Sequence, residues 1–143
     1  MAFPHAALGS LMGAVLVAGL GVAITAVADE ASDQAGPKPL VVKIHADWCG
    51  TCTRLEPTWQ ALRERYAGQA NLVVLDVTDC GSVAEAGEHA DRLGIRRFFD
   101  AYKSKTGVVA VIDGSSGEPV SVLKGETDAR RYEAPIAEAL QRS

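Results

Sequence analysis

Short apolar runs alternate with amphipathic stretches along the chain, and the spacing of each predicts its element. Pro39–Ala46, PLVVKIHA, is apolar and β-branched, which predicts a buried strand. From Cys52 to Ala67 the apolar residues Leu55, Trp59, Leu62 and Tyr66 recur at helical spacing and form one stripe. Pro57 inside that run predicts a kink, and Gly68 predicts its stop. Leu72–Val77 reads as a second strand, Thr78–Ser82 as a loop, and Val83–Leu93 as a helix ending at Gly94. Ile95–Tyr102 predicts another short helix, with Phe98, Phe99 and Tyr102 free to pack. Val108–Ile112 and Val120–Lys124 read as strands around a Gly/Ser-rich hairpin loop, Asp113–Glu118. Thr127 and Asp128 open a final helix to Gln141, with Tyr132, Ile136 and Leu140 on one face. The predicted order is β-α-β-α-β-β-α. Two βα units start the sheet parallel and the closing hairpin adds antiparallel strands. The result is an α/β domain with a small four-stranded mixed sheet and helices on both faces.

The first residues break this pattern. No Asp, Glu, Lys or Arg precedes Asp29, and Ala6–Ala28 is apolar or small throughout. A core helix of a small soluble domain needs a polar face, and this stretch has none. It predicts a secretory signal peptide cut after Ala26-Val27-Ala28, or an uncleaved membrane anchor. Either sends the rest of the chain out of the cytoplasm, to the periplasm or another extracytoplasmic space. Residues 29–38, DEASDQAGPK, read as a linker, and 39–143 as the single domain.

Composition narrows the function. The 143 residues carry a net charge of −4 with no basic run, which argues against nucleic-acid binding. Hydrophobic residues make up 48%, enough for a folded core. Three cysteines are too few for a disulfide-stapled scaffold.

Two of those cysteines carry the chemistry. Trp48-Cys49-Gly50-Thr51-Cys52 falls where the first strand ends and the first helix begins. A helix N-terminus offers free N–H groups and positive potential, both of which favour a thiolate. Cys49 would be the accessible, attacking sulfur, and Cys52, one turn inward, would resolve the mixed disulfide. Two other readings stand beside this one. A structural disulfide over so short a loop gains little stability. Metal binding would use the same thiols with His45 or Cys80.

The stretch ADWCGTC at 46–52 resembles the thioredoxin-like family. So do Pro57 beyond the second cysteine, the strand LVVLDVTD at 72–79, Leu93-Gly94-Ile95, and the hairpin VVAVIDGSSGEPVSVLKGE before a C-terminal helix. The resemblance covers about residues 39–141 and implies a thioredoxin-like fold. It also implies Cys49 as nucleophile and Cys52 as resolving thiol. Trp48, Gly50, Thr51, Lys43, Pro57, Thr106 and Gly107 would form their surroundings.

Three departures mark the chain. The family's extra β-α unit ahead of the first strand is replaced by the 29–38 linker, so the fold looks trimmed. Its buried carboxylate, six residues before the first cysteine, is replaced by Lys43, which could favour a thiolate or reach Glu56. Its cis-proline before the third strand is replaced by Gly107 after Thr106, with an insertion following Ile95. That proline shapes the family's substrate groove and keeps metals off the thiols.

The remaining residues have plainer readings. Cys80 should lie on the same sheet edge as the motif, as a partly buried loop thiol, with a regulatory disulfide as the alternative. His45 alternates with Ile44, is expected to share a face with Lys43 only through a bulge, and packs beneath the active-site loop. Trp48 would dock substrate or cover the helix start.

The expected function is exported thiol–disulfide exchange on protein disulfides, in the reducing direction. It would use the Cys49–Cys52 pair with no other cofactor and no metal. A membrane or periplasmic thiol donor would supply electrons to a monomer that is free or membrane-tethered. The alternative is a thiol-based copper-binding or copper-delivery module.

Overall fold

A computed structural model of the chain describes residues 36–143. The leader and residues 29–35 of the linker lie outside the described residues. Residues 36–39 form no regular element. Among the described residues, no helix is long and apolar enough to cross a membrane.

The elements follow the predicted order. Strand β1 spans Leu40–His45, helix α1 Gly50–Arg65, strand β2 Asn71–Asp76 and helix α2 Cys80–Arg92. Helix α3 spans Arg96–Tyr102, β3 Val108–Ile112 and β4 Pro119–Lys124. A 3₁₀ turn, Ala129–Tyr132, leads into α4, Glu133–Arg142. The strands lie in the order β2-β1-β3-β4. β1 pairs parallel with β2, and β3 pairs antiparallel with both β1 and β4.

β1 is central and buried on both faces, so its alternate residues feed two separate cores. Leu40, Val42 and Ile44 pack with Ala86 and Ala90 of α2 and with Phe98 and Phe99 of α3. Val41 packs with Leu55, Trp59 and Leu62 of α1 and with Tyr132, Ile136 and Ala139 at the C-terminus. Burying one such Val, Leu or Ile side chain contributes about 1.5–3 kcal/mol. The sheet thereby fixes both the strand end and the helix start between which the CxxC segment lies.

Four details differ from the pattern-based expectation. α2 begins at Cys80 and not at Val83, because Asp79 caps it. The Asp79 Oδ1 accepts from the Ser82 N–H at 2.9 Å, and the Ser82 hydroxyl completes a capping box. Cys80 is therefore an exposed residue in the first turn of a helix and not a half-buried loop thiol. The C-terminal helix is divided, since Asp128 caps the 3₁₀ turn by accepting from Arg130 N. Tyr132 still reaches the core, from the turn and not from α4. Finally, His45 and Lys43 share one side of β1 with no bulge, because residues two apart on a strand face the same way. Pro57, where the sequence predicts a kink, lies within α1, which is one continuous helix from Gly50 to Arg65.

Candidate redox site at the start of α1

The turn between β1 and α1 is held from both sides. The Cys49 N–H donates to Ala46 O at 3.0 Å. Across the sheet edge, the Asp47 N–H donates to the Thr78 hydroxyl, and the Trp48 indole N–H donates to Thr78 O, each at 3.0 Å. Thr78 is itself fixed, its N–H and hydroxyl both donating to Asp76 Oδ1. The end of β2 thus positions the loop at the end of β1, as adjacent parallel strands allow. Trp48 is clamped at its nitrogen while 67% of the residue stays exposed.

Cys49 is the N-cap of α1 and is only 7% exposed, packed under Thr106 and Gly107 and not the openly accessible sulfur that the sequence predicts. Its sulfur accepts from the Cys52 N–H at 3.2 Å, and the two sulfurs are 2.6 Å apart. Burial pushes the Cys49 thiol up, but hydrogen bonds to its sulfur outweigh that and hold it below the ordinary thiol range. They come from the Cys52 thiol, the Thr106 side chain and the backbone of Cys52 and Thr51. Cys52 moves the other way: burial first, and then its bond to Cys49, push its thiol up. One sulfur is thus favoured as thiolate and the other as thiol, the asymmetry that dithiol exchange requires.

Thr106 and Gly107, far along the chain, close the site. The Gly107 N–H donates to Ile44 O at 3.0 Å, and Gly107 O accepts from the Gly125 N–H at 2.9 Å. Gly107 has a φ of +75°, and a Cβ there would lie 2.7 Å from Thr51 Cγ2 and 3.8 Å from Cys49 Sγ. Only glycine fits so close to the motif in this conformation. Gly125 also meets Thr51, its would-be Cβ 3.3 Å from Cγ2. Pattern reading missed Gly125 and Thr78. The signal for Thr78 was its place just past β2, on the edge that β1 shares.

Other expected site residues are less central. A Cβ at Gly50 would meet the Arg54 guanidinium at an ordinary contact distance of 3.9 Å, and Thr51 Oγ1 accepts from Arg54 at 2.9 Å. Pro57 is exposed on α1. Lys43 is 1% exposed, and its Nζ donates to Glu56 Oε2 at 2.7 Å and lies 5.7 Å from the Trp59 ring centroid. That ammonium holds the Glu56 carboxyl below its ordinary range. Of the two destinations considered for Lys43, Glu56 is the group it reaches. His45 lies 3.3 Å from Asp47 through Nε2, while its buried Nδ1 has no partner among the described residues. No group of three or more His, Cys, Asp or Glu side chains among the described residues is placed to hold a metal ion. His45 and Cys80 are therefore not assembled with Cys49 and Cys52 into a ligand set.

Comparison with known proteins finds thioredoxins. A family model described as Thioredoxin matches residues 25–90. Human thioredoxin is 44% identical over 59 residues, covering 41% of this chain and 55% of that protein. Over this part the chain is similar to thioredoxin. Thioredoxin from Callithrix jacchus matches to the same extent, 44% over 59 residues and 55% of its length. A thioredoxin H-type from Chlamydomonas reinhardtii is 41% identical over 49 residues, covering 34% of this chain and 43% of that protein. A solved Fasciola hepatica thioredoxin aligns with 77% of this chain and 88% of its own at 16% identity, with a TM-score of 0.47. The chain spans about half the length of the curated relatives it matches.

Proposed function

We propose that the chain is a thiol–disulfide oxidoreductase that reduces protein disulfides outside the cytoplasm. The observation that carries this is the opposite displacement of two adjacent thiols at one helix start. Cys49 is favoured as thiolate by the Cys52 thiol, the Thr106 side chain and the first N–H groups of α1, in that order, and Cys52 is held as thiol 2.6 Å away.

The electron count closes without a further group. The Cys49 thiolate attacks one sulfur of a substrate disulfide, and the other sulfur leaves as thiolate and takes a proton. Cys52 loses its proton and attacks Cys49 Sγ, which releases the second substrate thiol. The substrate gains two electrons and the protein keeps a Cys49–Cys52 disulfide. An external thiol donor returns the pair to the dithiol. The clamped, exposed Trp48 and the glycine-lined approach at Gly107 give a protein substrate a surface on which to settle. Export, and hence a membrane or periplasmic donor, rests on the charge-free stretch before Asp29.

The test is insulin disulfide reduction under chelator, together with equilibration against thiol buffers. A reductant gives turnover that is lost with Cys49→Ser, and a potential near about −270 mV. A potential near about −120 mV would reverse the direction. Absence of turnover, with metal retained stoichiometrically by the two thiols, would favour the copper module.

A further inference from the structure

β2 is an edge of the sheet, paired among the described residues on its β1 side alone. The ladder shows which backbone groups it leaves open. The Asn71 N–H donates to Pro39 O at 2.9 Å and the Val77 N–H to His45 O at 2.8 Å. Strand groups alternate, so the N–H groups of Asn71, Val73, Leu75 and Val77 face β1, and those of Leu72, Val74 and Asp76 face outward. Such a row is a template for another strand. Val74 and Trp48 are the exposed large hydrophobic residues among the described residues, and Val74 stands on this edge.

Along the same edge lies a groove of about 550 Å³, whose lining includes Val74, Asp76, Asp79, Glu85, His89 and Arg92. Its charges are sorted by height. α2 starts one short loop beyond the end of β2 and runs back along it. Asp76, Asp79 and Glu85 therefore lie towards the end where β2 finishes, and His89 and Arg92 towards the end where it starts. Neither Glu85 nor Arg92 is in an ion pair among the described residues. A two-fold axis that pairs β2 antiparallel with a second β2 turns one copy end for end. The acidic half of each groove then meets the basic half of the other. An edge with one sign of charge would repel its own copy.

We propose that this edge is a self-association surface, with two copies pairing antiparallel through Leu72–Asp76 and locked by Glu85 and Arg92 across the axis. The sequence by itself suggests a monomer. The sorted charges beside an open edge argue for two copies.

The test is sedimentation of the full chain over a concentration series, with reductant present so that Cys80-linked dimers cannot form. The expected result is a reversible dimer that weakens as salt is raised. Arg92→Glu and Glu85→Arg should each weaken it about tenfold, and the two together should restore it. Amide hydrogen exchange at Leu72 and Val74 should slow as the dimer fills, while exchange at Val73 should not change. A monomer at every concentration up to about 1 mM would overturn the proposal, since any Kd above that is negligible binding. So would association indifferent to both charge reversals. Protection of Leu72 and Val74 already present in the monomer would also overturn it, because the chain's own residues would then cover the edge. Far-UV circular dichroism of each variant separates lost association from lost fold.

Discussion

Two helices of this domain begin with a cysteine just past the end of a parallel strand, and only one start is built for chemistry. At α1, Cys49 is itself the N-cap, and its sulfur accepts the Cys52 N–H. At α2, Asp79 takes the cap and Cys80 falls one place later, exposed in the first turn. A carboxylate is the better acceptor for free helix N–H groups, so wherever one stands at the cap the neighbouring thiol is left out. One position of offset thus separates a nucleophile from a surface thiol. Placement on the shared strand edge, which both cysteines have, is not sufficient.

The largest effect should come from removing the capping sulfur. Cys49→Ser should lower insulin reduction to the uncatalysed level, and Cys80→Ser should leave it unchanged. If Cys80→Ser also abolished turnover, the contrast between the two starts would fail. Cys52→Ser should still attack once but accumulate the mixed disulfide, visible by mass spectrometry.

Next come the supports of the first start. Glu56→Ala strands the buried Lys43 ammonium and should cost about 2 kcal/mol by urea unfolding. That lies below the 3–5 typical of fully buried pairs, because Glu56 is itself more than half exposed. Lys43→Met should be near neutral, since it removes the buried charge together with its need for a partner. Gly107→Ala forces a side chain into a left-handed conformation and against Thr51. It should cost about 1–2 kcal/mol and slow exchange at Cys49.

The smallest effect belongs to the second start. The Ser82 N–H and hydroxyl hold the Asp79 carboxyl below its ordinary range. A carboxyl depressed on folding adds stability that is present above its unfolded pKa and lost as pH falls through the folded value. Asp79→Ala should slightly lower the melting temperature at neutral pH. It should also flatten the loss of stability on acidification, with little change in exchange rate.

Much of this was legible in the chain. β1 and β3 are buried on both faces and read as apolar runs. The stripe Leu55, Trp59, Leu62, Tyr66 marks α1, with its last member just past the helix at the C-cap. The CxxC spacing at a strand-to-helix junction located the chemistry. Three features escaped for physical reasons. The first turn of α2, Cys80-Gly81-Ser82, has poor helix propensity and is ordered by its cap, so periodicity could not show where the helix starts. The division at Tyr132 depends on the Asp128 cap, a local hydrogen bond invisible to a hydrophobic stripe. Thr78 and Gly125 reach the site only through sheet pairing, which brings distant segments together by register and not by motif.

The central claim is that the hydrogen bonds gathered on its sulfur at the helix start, from the Cys52 thiol, the Thr106 side chain and the capped N–H groups, make Cys49 the activated thiol. It is tested most directly by alkylating the reduced protein with iodoacetamide across pH and mapping each cysteine by mass spectrometry. The account predicts that Cys49 reacts first, with a midpoint below that of an ordinary thiol, that it outpaces the more exposed Cys80 at mildly acidic pH, and that Cys52 is protected. Alkylation of Cys52 ahead of Cys49, or a Cys49 midpoint at or above the ordinary thiol range, would contradict it.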